Sequence, residues 1–140
     1  MITIYNDNTP EQMKAITELA KHLQEDVETV ADWIESGDYE IMTDNEADER
    51  AKEYILNSLW AFNADFIVEN SNLPYEATKM IQSFQENECE GANDTILALI
   101  DDIDSFVEAA ISADGRGHFI SFYDGDEIEL GNDYFAYRSN

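Results

Sequence analysis

The sequence predicts an α+β fold, in which about five helices pack with a small antiparallel sheet formed mainly by a C-terminal meander. Three features support this fold class. Apolar residues recur at helical spacing through most of the chain up to residue 113. Beyond residue 117 the period changes to two, which is typical of strands joined by tight turns. Two isolated strand-like segments, 2–5 and 39–42, flank the first two helices, which disfavours a parallel βαβ sheet.

The first elements are a short strand at 2–5 and two helices. Residues 9–12 have the pattern of a capping box, with proline at the first helical position. The second helix is predicted to begin near Asp26 and to end at Gly37. The inward-facing positions of this pair are Met13, Ile16, Ala20, Leu23, Val27, Val30, Trp33 and Ile34.

A strand at 39–42 and three helices are predicted next. Residues 43–46 form a capping box for a long helix, and Asn63 caps a short one. Pro74 opens a helix that ends in the polar segment 86–91. The long helix is predicted to bury Ala47, Ala51, Tyr54, Ile55, Leu59 and Phe62.

Asn93 is predicted to cap one continuous helix that runs to about residue 113. Its apolar face contains Ile96, Ile100, Ile103, Val107, Ala110 and Ile111. Its opposite face contains Asp94, Asp101, Asp104 and Glu108, and the helix itself has no Lys or Arg. The meander then follows, with strands at 118–123, 127–130 and 134–138, and it makes His118 a strand residue.

The composition predicts a single acidic domain over residues 1–140. The chain has 32 Asp and Glu against 7 Lys and Arg, for a formal net charge of −25, yet it is 44% hydrophobic. That apolar content excludes a disordered acidic tail. The acids run through every segment and share helices with apolar residues, so they are expected to coat the folded surface. The charge excludes binding of nucleic-acid phosphates through Lys and Arg.

The chain is expected to act in the cytoplasm, without membrane contact. A single cysteine, Cys89, excludes an internal disulfide framework. The N-terminal segment lacks the basic and apolar regions of a signal peptide, and no apolar run approaches the roughly 20 residues that a membrane span needs.

Local motifs point to a binding protein and not to an enzyme. Residues 19–34 resemble the helix-turn-helix of DNA-binding regulators, but the second helix exposes acids and Gln24 stands where that pattern usually has glycine. Simple packing of two helices is the favoured interpretation. Residues 124–129 do not fit the calcium-loop pattern, and Cys89, His22 and His118 lack zinc-like spacing, so neither metal nor cofactor is expected.

The segment Asp114–His118 is the most unusual local string. Its two glycines around Arg116 would let backbone N–H groups approach an anion. The favoured alternative is a helix C-cap followed by a turn, with Arg116 pairing a nearby carboxylate. No nucleophile with an adjacent base is recognisable, and a carboxylate pair proves nothing among 32 acids, so catalytic residues are not expected.

Several strings resemble a family of small acidic bacteriophage and prophage proteins. They are Tyr39–Asp48, Ser58–Asn63, Cys89–Asn93, Asp114–Phe119, Tyr123–Gly125 and Tyr137–Arg138, and they cover most of the chain beyond residue 38. That family has no assigned activity, so the resemblance implies a phage context and no catalytic residues. Size and charge are also similar to the DNA mimics that inhibit restriction and CRISPR enzymes, a similarity of composition without a shared motif.

The resulting hypothesis is a phage-encoded inhibitory DNA mimic that blocks the nucleic-acid site of a host defence nuclease of the restriction or CRISPR type. Its partner would be a basic nucleic-acid-binding host protein, with no direct contact to nucleic acid, and homodimerisation is left open. The expected phosphate surrogates are Asp94, Asp101, Asp104, Glu108, Glu25, Glu28, Asp32 and Glu35. One alternative is a small phage regulator or adaptor with a degenerate helix-turn-helix at residues 17–35. Another is a surface adapted to a high-salt cytoplasm.

Overall fold

The computed structural model describes residues 9–140. Helices and a three-stranded antiparallel sheet confirm the α+β class. The helices are α1 (Pro10–Leu23), α2 (Val27–Ser36), α3 (Asp44–Asn57), α4 (Ala64–Glu69), α5 (Ala77–Glu88), α6 (Asn93–Leu99), α7 (Ile103–Asp114) and α8 (Arg116–Ile120). The strands are β1 (Tyr39–Thr43), β2 (Ile128–Gly131) and β3 (Tyr134–Arg138), and short 3₁₀ turns occupy Leu59–Ala61 and Cys89–Ala92. The strand predicted at 2–5 lies outside the described residues.

The chain divides into two compact units. The first comprises Met1–Ala51 with Arg116–Asn140, and the second is Lys52–Gly115. By sequence the first unit has 19 acidic against 5 basic side chains, a net charge of −14, and the second has 13 against 2, a net charge of −11. Each unit therefore has its own strong negative charge. The expectation of a single domain over residues 1–140 stays a prediction.

The sheet of the first unit has the order β1-β3-β2. Tyr39 of β1 pairs with Arg138 of β3, and Ile41 pairs with Ala136, so these side chains lie on one face of the sheet. That face packs against α1 and α2. The buried residues of this core are Ala15, Ile16, Leu19, Ala20, Val30, Ile34, Tyr39, Ile41, Leu130 and Ala136.

The predicted boundaries of α1 and α2 are confirmed. Thr9 and Gln12 form the reciprocal capping box, Asp26 accepts a hydrogen bond from the Thr29 N–H at 2.8 Å, and Gly37 ends α2 at φ 86°. In the turn, Gln24 adopts a left-handed conformation at φ 56°. Glycine usually supplies that conformation in a helix-turn-helix, so the backbone has the expected turn although the side chain is atypical.

The core of the second unit is aromatic and aliphatic. Phe106 is fully buried, with its ring centre 5.5 Å from that of Phe66 and 6.0 Å from that of Phe62. The Gln85 side-chain amide satisfies two backbone carbonyls where the chain turns after α3. Gln85 donates to the carbonyls of Leu59 and Phe62, at 2.9 and 2.8 Å. The other buried apolar residues described in this unit are Ile55, Leu59, Ala64, Ile67, Val68, Ile81, Ala92, Ile96, Ile100, Val107 and Ala110.

The prediction of one continuous helix from Asn93 to residue 113 is wrong. α6 ends at Leu99, Ile100 is extended at φ −85° and ψ 116°, and Asp102 caps α7 by accepting hydrogen bonds from the Ser105 N–H and hydroxyl. Asn93 is not a cap, because its amide donates to the Leu56 carbonyl at 2.7 Å and accepts from the Trp60 N–H. Ile100 is buried despite the break, so apolar spacing alone could not reveal it.

The meander prediction is correct only for β2 and β3. Residues 116–120 form α8 instead of a strand, and His118 is an exposed helical residue. The Ser121 N–H donates to the Gly117 carbonyl at 2.7 Å, which closes the helix, and consecutive Phe119 and Ile120 are both buried. Two adjacent buried residues fit a helix that packs along one side better than a strand with one solvated face. The third strand of the sheet is β1.

Within residues 9–140, every helix is too short or too polar to cross a lipid bilayer.

α3 begins as the sequence predicts, since Thr43 and Glu46 exchange side-chain-to-backbone hydrogen bonds at 3.0 and 3.3 Å.

Candidate functional site

The first unit carries an acidic helix face on α2. Glu28, Asp32 and Glu35 are exposed and follow one another at spacings of four and three residues, which places them on one side of the helix. We call these three residues the α2 acidic face. Among residues 9–140, no Lys, Arg or His lies within ion-pair distance of them. Glu25, the fourth predicted surrogate of this group, is exposed in the turn that precedes α2.

The second group of predicted surrogates does not form the continuous stripe that the sequence suggested. Asp94 is on α6, Asp101 is in the break, and Asp104 and Glu108 are on α7, all four exposed. The four acids do not share one helix face, because the break between α6 and α7 interrupts the regular helical rotation that would have aligned them.

Two of these acids also have partners. Asp104 pairs with Lys52 of α3 at 3.1 Å, and an Asp101 side-chain oxygen accepts from the Asn72 N–H at 3.1 Å. Lys52 thus supplies the cation that the helix sequence lacks. Partner binding by these four residues stays a prediction, as does a common surface with the acids of the first unit.

Arg116 forms ion pairs with a cluster of three carboxylates in the first unit. Its side chain is only 9% exposed. Nη1 donates to Asp44 and Asp48 at 2.8 and 2.9 Å, and Nε donates to Glu127 at 2.7 Å. The guanidinium carbon also lies 4.7 Å from the centre of the Phe135 ring. The favoured interpretation of this segment is confirmed for the helix C-cap at Gly115 and for the pairing of Arg116 with a carboxylate. It is wrong for the turn, because Arg116–Ile120 form α8.

The electrostatics of the cluster follow from burial and hydrogen bonding. Burial opposes the charge of Arg116, but the hydrogen bonds to Glu127, Asp44 and Asp48 outweigh it and raise the pKa of the guanidinium. The Tyr137 hydroxyl donates to Glu127, and burial followed by that bond to Glu127 raises the pKa of the phenol. Both groups therefore keep one protonation state near neutral pH.

Gly117 allows α8 to lie directly against the loop that follows it. A Cβ at this position would lie 2.6 Å from the Gly125 carbonyl oxygen and 2.8 Å from the Asp126 carbonyl carbon. We therefore expect Gly117→Ala to lower the free energy of unfolding by about 1–3 kcal/mol, because backbone atoms must move to admit the methyl group. Urea denaturation measures this. Gly91→Ala is the matched control, since its Cβ would meet nothing closer than 3.9 Å; equal losses in the two variants would contradict the expectation.

A cleft of moderate size is present in each unit. The cleft of the first unit has a volume of about 280 Å³ and is lined by Leu23, Glu25, Trp33, Asp38, Tyr39, Arg138 and Asn140. That of the second has a volume of about 350 Å³ and is lined by Trp60, Phe62, Asn63, Ala64, Asp65, Thr78, Gln82, Gln85 and Glu86. Neither lining contains a histidine or cysteine. In the part of the chain that the structure describes, no three His, Cys, Asp or Glu residues are grouped to hold a metal ion.

The sequence did not reveal the role of Arg138. Its guanidinium carbon lies 3.7 Å from the centre of the Tyr123 ring and 5.7 Å from that of Tyr39. Burial raises the pKa of Tyr39, an effect that Asp124 increases and Arg138 reduces. In the sequence, the only sign of these contacts is that Arg138 stands close to tyrosines in a chain with few basic residues.

Comparison with known proteins adds no assignment. The resemblance to phage proteins stays a prediction, and function has to be inferred from the chemistry of the surfaces described above. No family model, curated protein or solved structure matches this chain.

Proposed function

We propose that this chain is a phage-encoded inhibitor that acts as a DNA mimic in the host cytoplasm. Its carboxylates take the place of phosphates in the basic nucleic-acid site of a defence nuclease of the restriction or CRISPR type. The observation that supports this most strongly is the α2 acidic face, where three exposed carboxylates lie on one helix side without a cationic partner among residues 9–140.

Carboxylates this close together repel one another, and no cation among residues 9–140 offsets that repulsion in the folded protein. Like charges four residues apart on a helix repel each other by a few tenths of a kcal/mol. The N-cap Asp26 is stabilised as an anion by hydrogen bonds from Thr29, which lower its pKa. Among residues 9–140, Glu28, Asp32 and Glu35 accept no hydrogen bond of that kind from the backbone. A basic partner surface would relieve this repulsion on binding.

A negative surface also increases the rate of encounter with a basic partner. The attraction acts over roughly 8 Å at physiological ionic strength and shortens as salt is added. Association should therefore be fast at low salt and slow markedly at high salt. A surface that functions only in solubility would show no preference for nucleic-acid-binding proteins over other basic proteins.

A binding panel with DNA competition tests the proposal. The immobilised chain is exposed to purified restriction endonucleases, guide-loaded CRISPR nucleases and, as controls, lysozyme and cytochrome c as basic proteins without a nucleic-acid groove. We expect binding to at least one nuclease, loss of binding as salt rises from about 0.05 to 0.5 M, and displacement by duplex DNA. A nuclease complex that duplex DNA leaves intact would contradict mimicry, as would equal binding to both basic controls.

A regulator or adaptor is the second candidate, favoured by exposed aromatic residues. Phe122 and Tyr123 are 64% and 60% exposed, and Tyr75 and Met80 are also largely exposed. Exposed aromatic side chains are common anchors of protein interfaces. A partner that binds this candidate would dissociate little with added salt and would lose affinity when Phe122 is replaced by Ser.

A further inference from the structure

Arg138 has no acidic side-chain partner among residues 9–140. The chain has 32 Asp and Glu, and the structure pairs Arg50, Arg116 and Lys52 with carboxylates. For Arg138, no Asp or Glu side chain in that range lies within ion-pair distance. Its Nε donates to the backbone oxygen of Asn140 at 2.6 Å, and its side chain also forms a hydrogen bond with Tyr39. A guanidinium has five N–H donors, so its terminal nitrogens keep donor capacity for another molecule.

Aromatic stacking holds this guanidinium in place. Arg138 lies against Tyr123 and near Tyr39, and the Tyr39 ring is in turn stacked on Trp33 at 5.8 Å between centres. The C-terminal residues are tied to the same place, because the Asn140 amide donates to the Asp38 side chain at 3.1 Å. A side chain fixed in this way loses little entropy when it binds a ligand.

The cleft beside Arg138 has three kinds of wall. Among the described residues that line it, Arg138 is the only cationic one. Glu25 and Asp38 supply carboxylates, and Leu23, Trp33 and Tyr39 supply apolar and aromatic surface. A simple anion would be attracted by the guanidinium but repelled by the two carboxylates. A simple cation would be attracted by the carboxylates but repelled by the guanidinium. A zwitterion with an apolar side chain matches all three kinds of residue. Its anionic group faces the guanidinium, its cationic group faces the carboxylates, and its apolar part packs on the aromatic and aliphatic residues.

We propose that this cleft binds a free α-amino acid with an aromatic or branched aliphatic side chain. The ligand carboxylate accepts from the terminal nitrogens of Arg138, a geometry that guanidinium groups favour. The ammonium group lies near Asp38 or Glu25, and the side chain packs on Trp33 and Leu23. The volume of about 280 Å³ is near the lower end of the range for small-molecule sites. The inference does not depend on the proposed function.

Three related probes separate the contributions of the walls. L-phenylalanine has both charges, 3-phenylpropanoate lacks the ammonium group, and phenethylamine lacks the carboxylate. Each is titrated into the full chain while the NMR signals of the Arg138 Nε–H and the Trp33 indole N–H are followed. We expect saturable shifts with L-phenylalanine and affinities at least about tenfold lower for the other two, because each loses one charged contact.

Variants then assign the contacts. Arg138→Gln should weaken L-phenylalanine binding about ten- to a hundredfold. Asp38→Asn should weaken L-phenylalanine binding but not 3-phenylpropanoate binding. Lys14→Gln is the matched control, since it removes the same charge from the exposed surface of α1 and should leave binding unchanged. Backbone amide signals of Ile41 and Ala136 report whether the core of each variant is intact.

Two results would overturn the proposal. One is the absence of saturable shifts at Trp33 and Arg138 with L-phenylalanine up to about 50 mM, well above the millimolar range. The other is equal affinity for L-phenylalanine and phenethylamine, which would show that the carboxylate contributes nothing. Both tests use the native chain, so they remain decisive if Arg138→Gln does not fold.

Discussion

Replacing Arg116 with Met is expected to lower the free energy of unfolding by about 3 kcal/mol. Met fills a similar volume but leaves Asp44, Asp48 and Glu127 close together without their shared cation. The figure is at the lower end for a broken buried ion pair because the three carboxylates remain partly solvated. Urea or guanidinium denaturation at neutral pH measures the loss.

Two further variants test the origin of that effect. Arg50→Met breaks the more exposed pair with Glu40 and should cost about 1 kcal/mol or less. Arg116→Lys should recover only part of the stability, since one ammonium group cannot donate in the planar geometry that joins three carboxylates. A loss no greater than that of Arg50→Met would show that the cluster is unimportant for stability.

Reversing the α2 acidic face is expected to reduce affinity for the proposed nuclease partner about a hundredfold at low salt. The variant Glu28→Lys, Asp32→Lys and Glu35→Lys turns three attractive contacts into repulsive ones. Each reversal contributes on the order of 1 kcal/mol at the surface, before screening. The difference from the native chain should shrink as salt rises, since screening weakens both attraction and repulsion. Surface plasmon resonance over a salt series measures both quantities.

A matched variant distinguishes position from net charge. Glu49, Glu53 and Glu69 are exposed but lie outside the predicted surrogates, and their replacement with Lys changes the net charge by the same amount. If the α2 acidic face makes contact, the control should lose less than about tenfold in affinity. Equal losses would mean that the partner responds to total charge, and an unchanged affinity in the α2 variant would remove this face from the binding surface.

Local signals predicted the α1–α2 pair well, whereas they failed at the α6–α7 break. Asp26 and Gly37 specify helix ends through their own backbone contacts, which depend on neighbouring residues only. The break depends on the extended conformation of Ile100, which stays buried and keeps the apolar spacing. Asp102 was the one local sign of a second helix start, and with many acids nearby it does not stand out.

A candidate site could be predicted from the sequence only where a single helix contains its residues. The spacing of Glu28, Asp32 and Glu35 is sufficient to place them on one face. The pairing of Lys52 with Asp104 joins residues far apart in sequence, and no local pattern specifies it. The stacking of Arg138 on Tyr39 follows from the register of β1 and β3, which is a property of the folded sheet.

The spacing of charges on α2 has a consequence for the ions that accompany the protein. With a rise of about 1.5 Å per residue, the α2 acidic face has roughly one charge per 5 Å of helix axis. Duplex DNA has one per roughly 1.7 Å and holds a condensed layer of counterions, whose release drives much of its binding to proteins. The helix binds fewer ions and releases fewer. Under the proposed function, a nuclease that exchanges DNA for this protein would gain less entropy from released ions, and the complex would depend more on direct contacts.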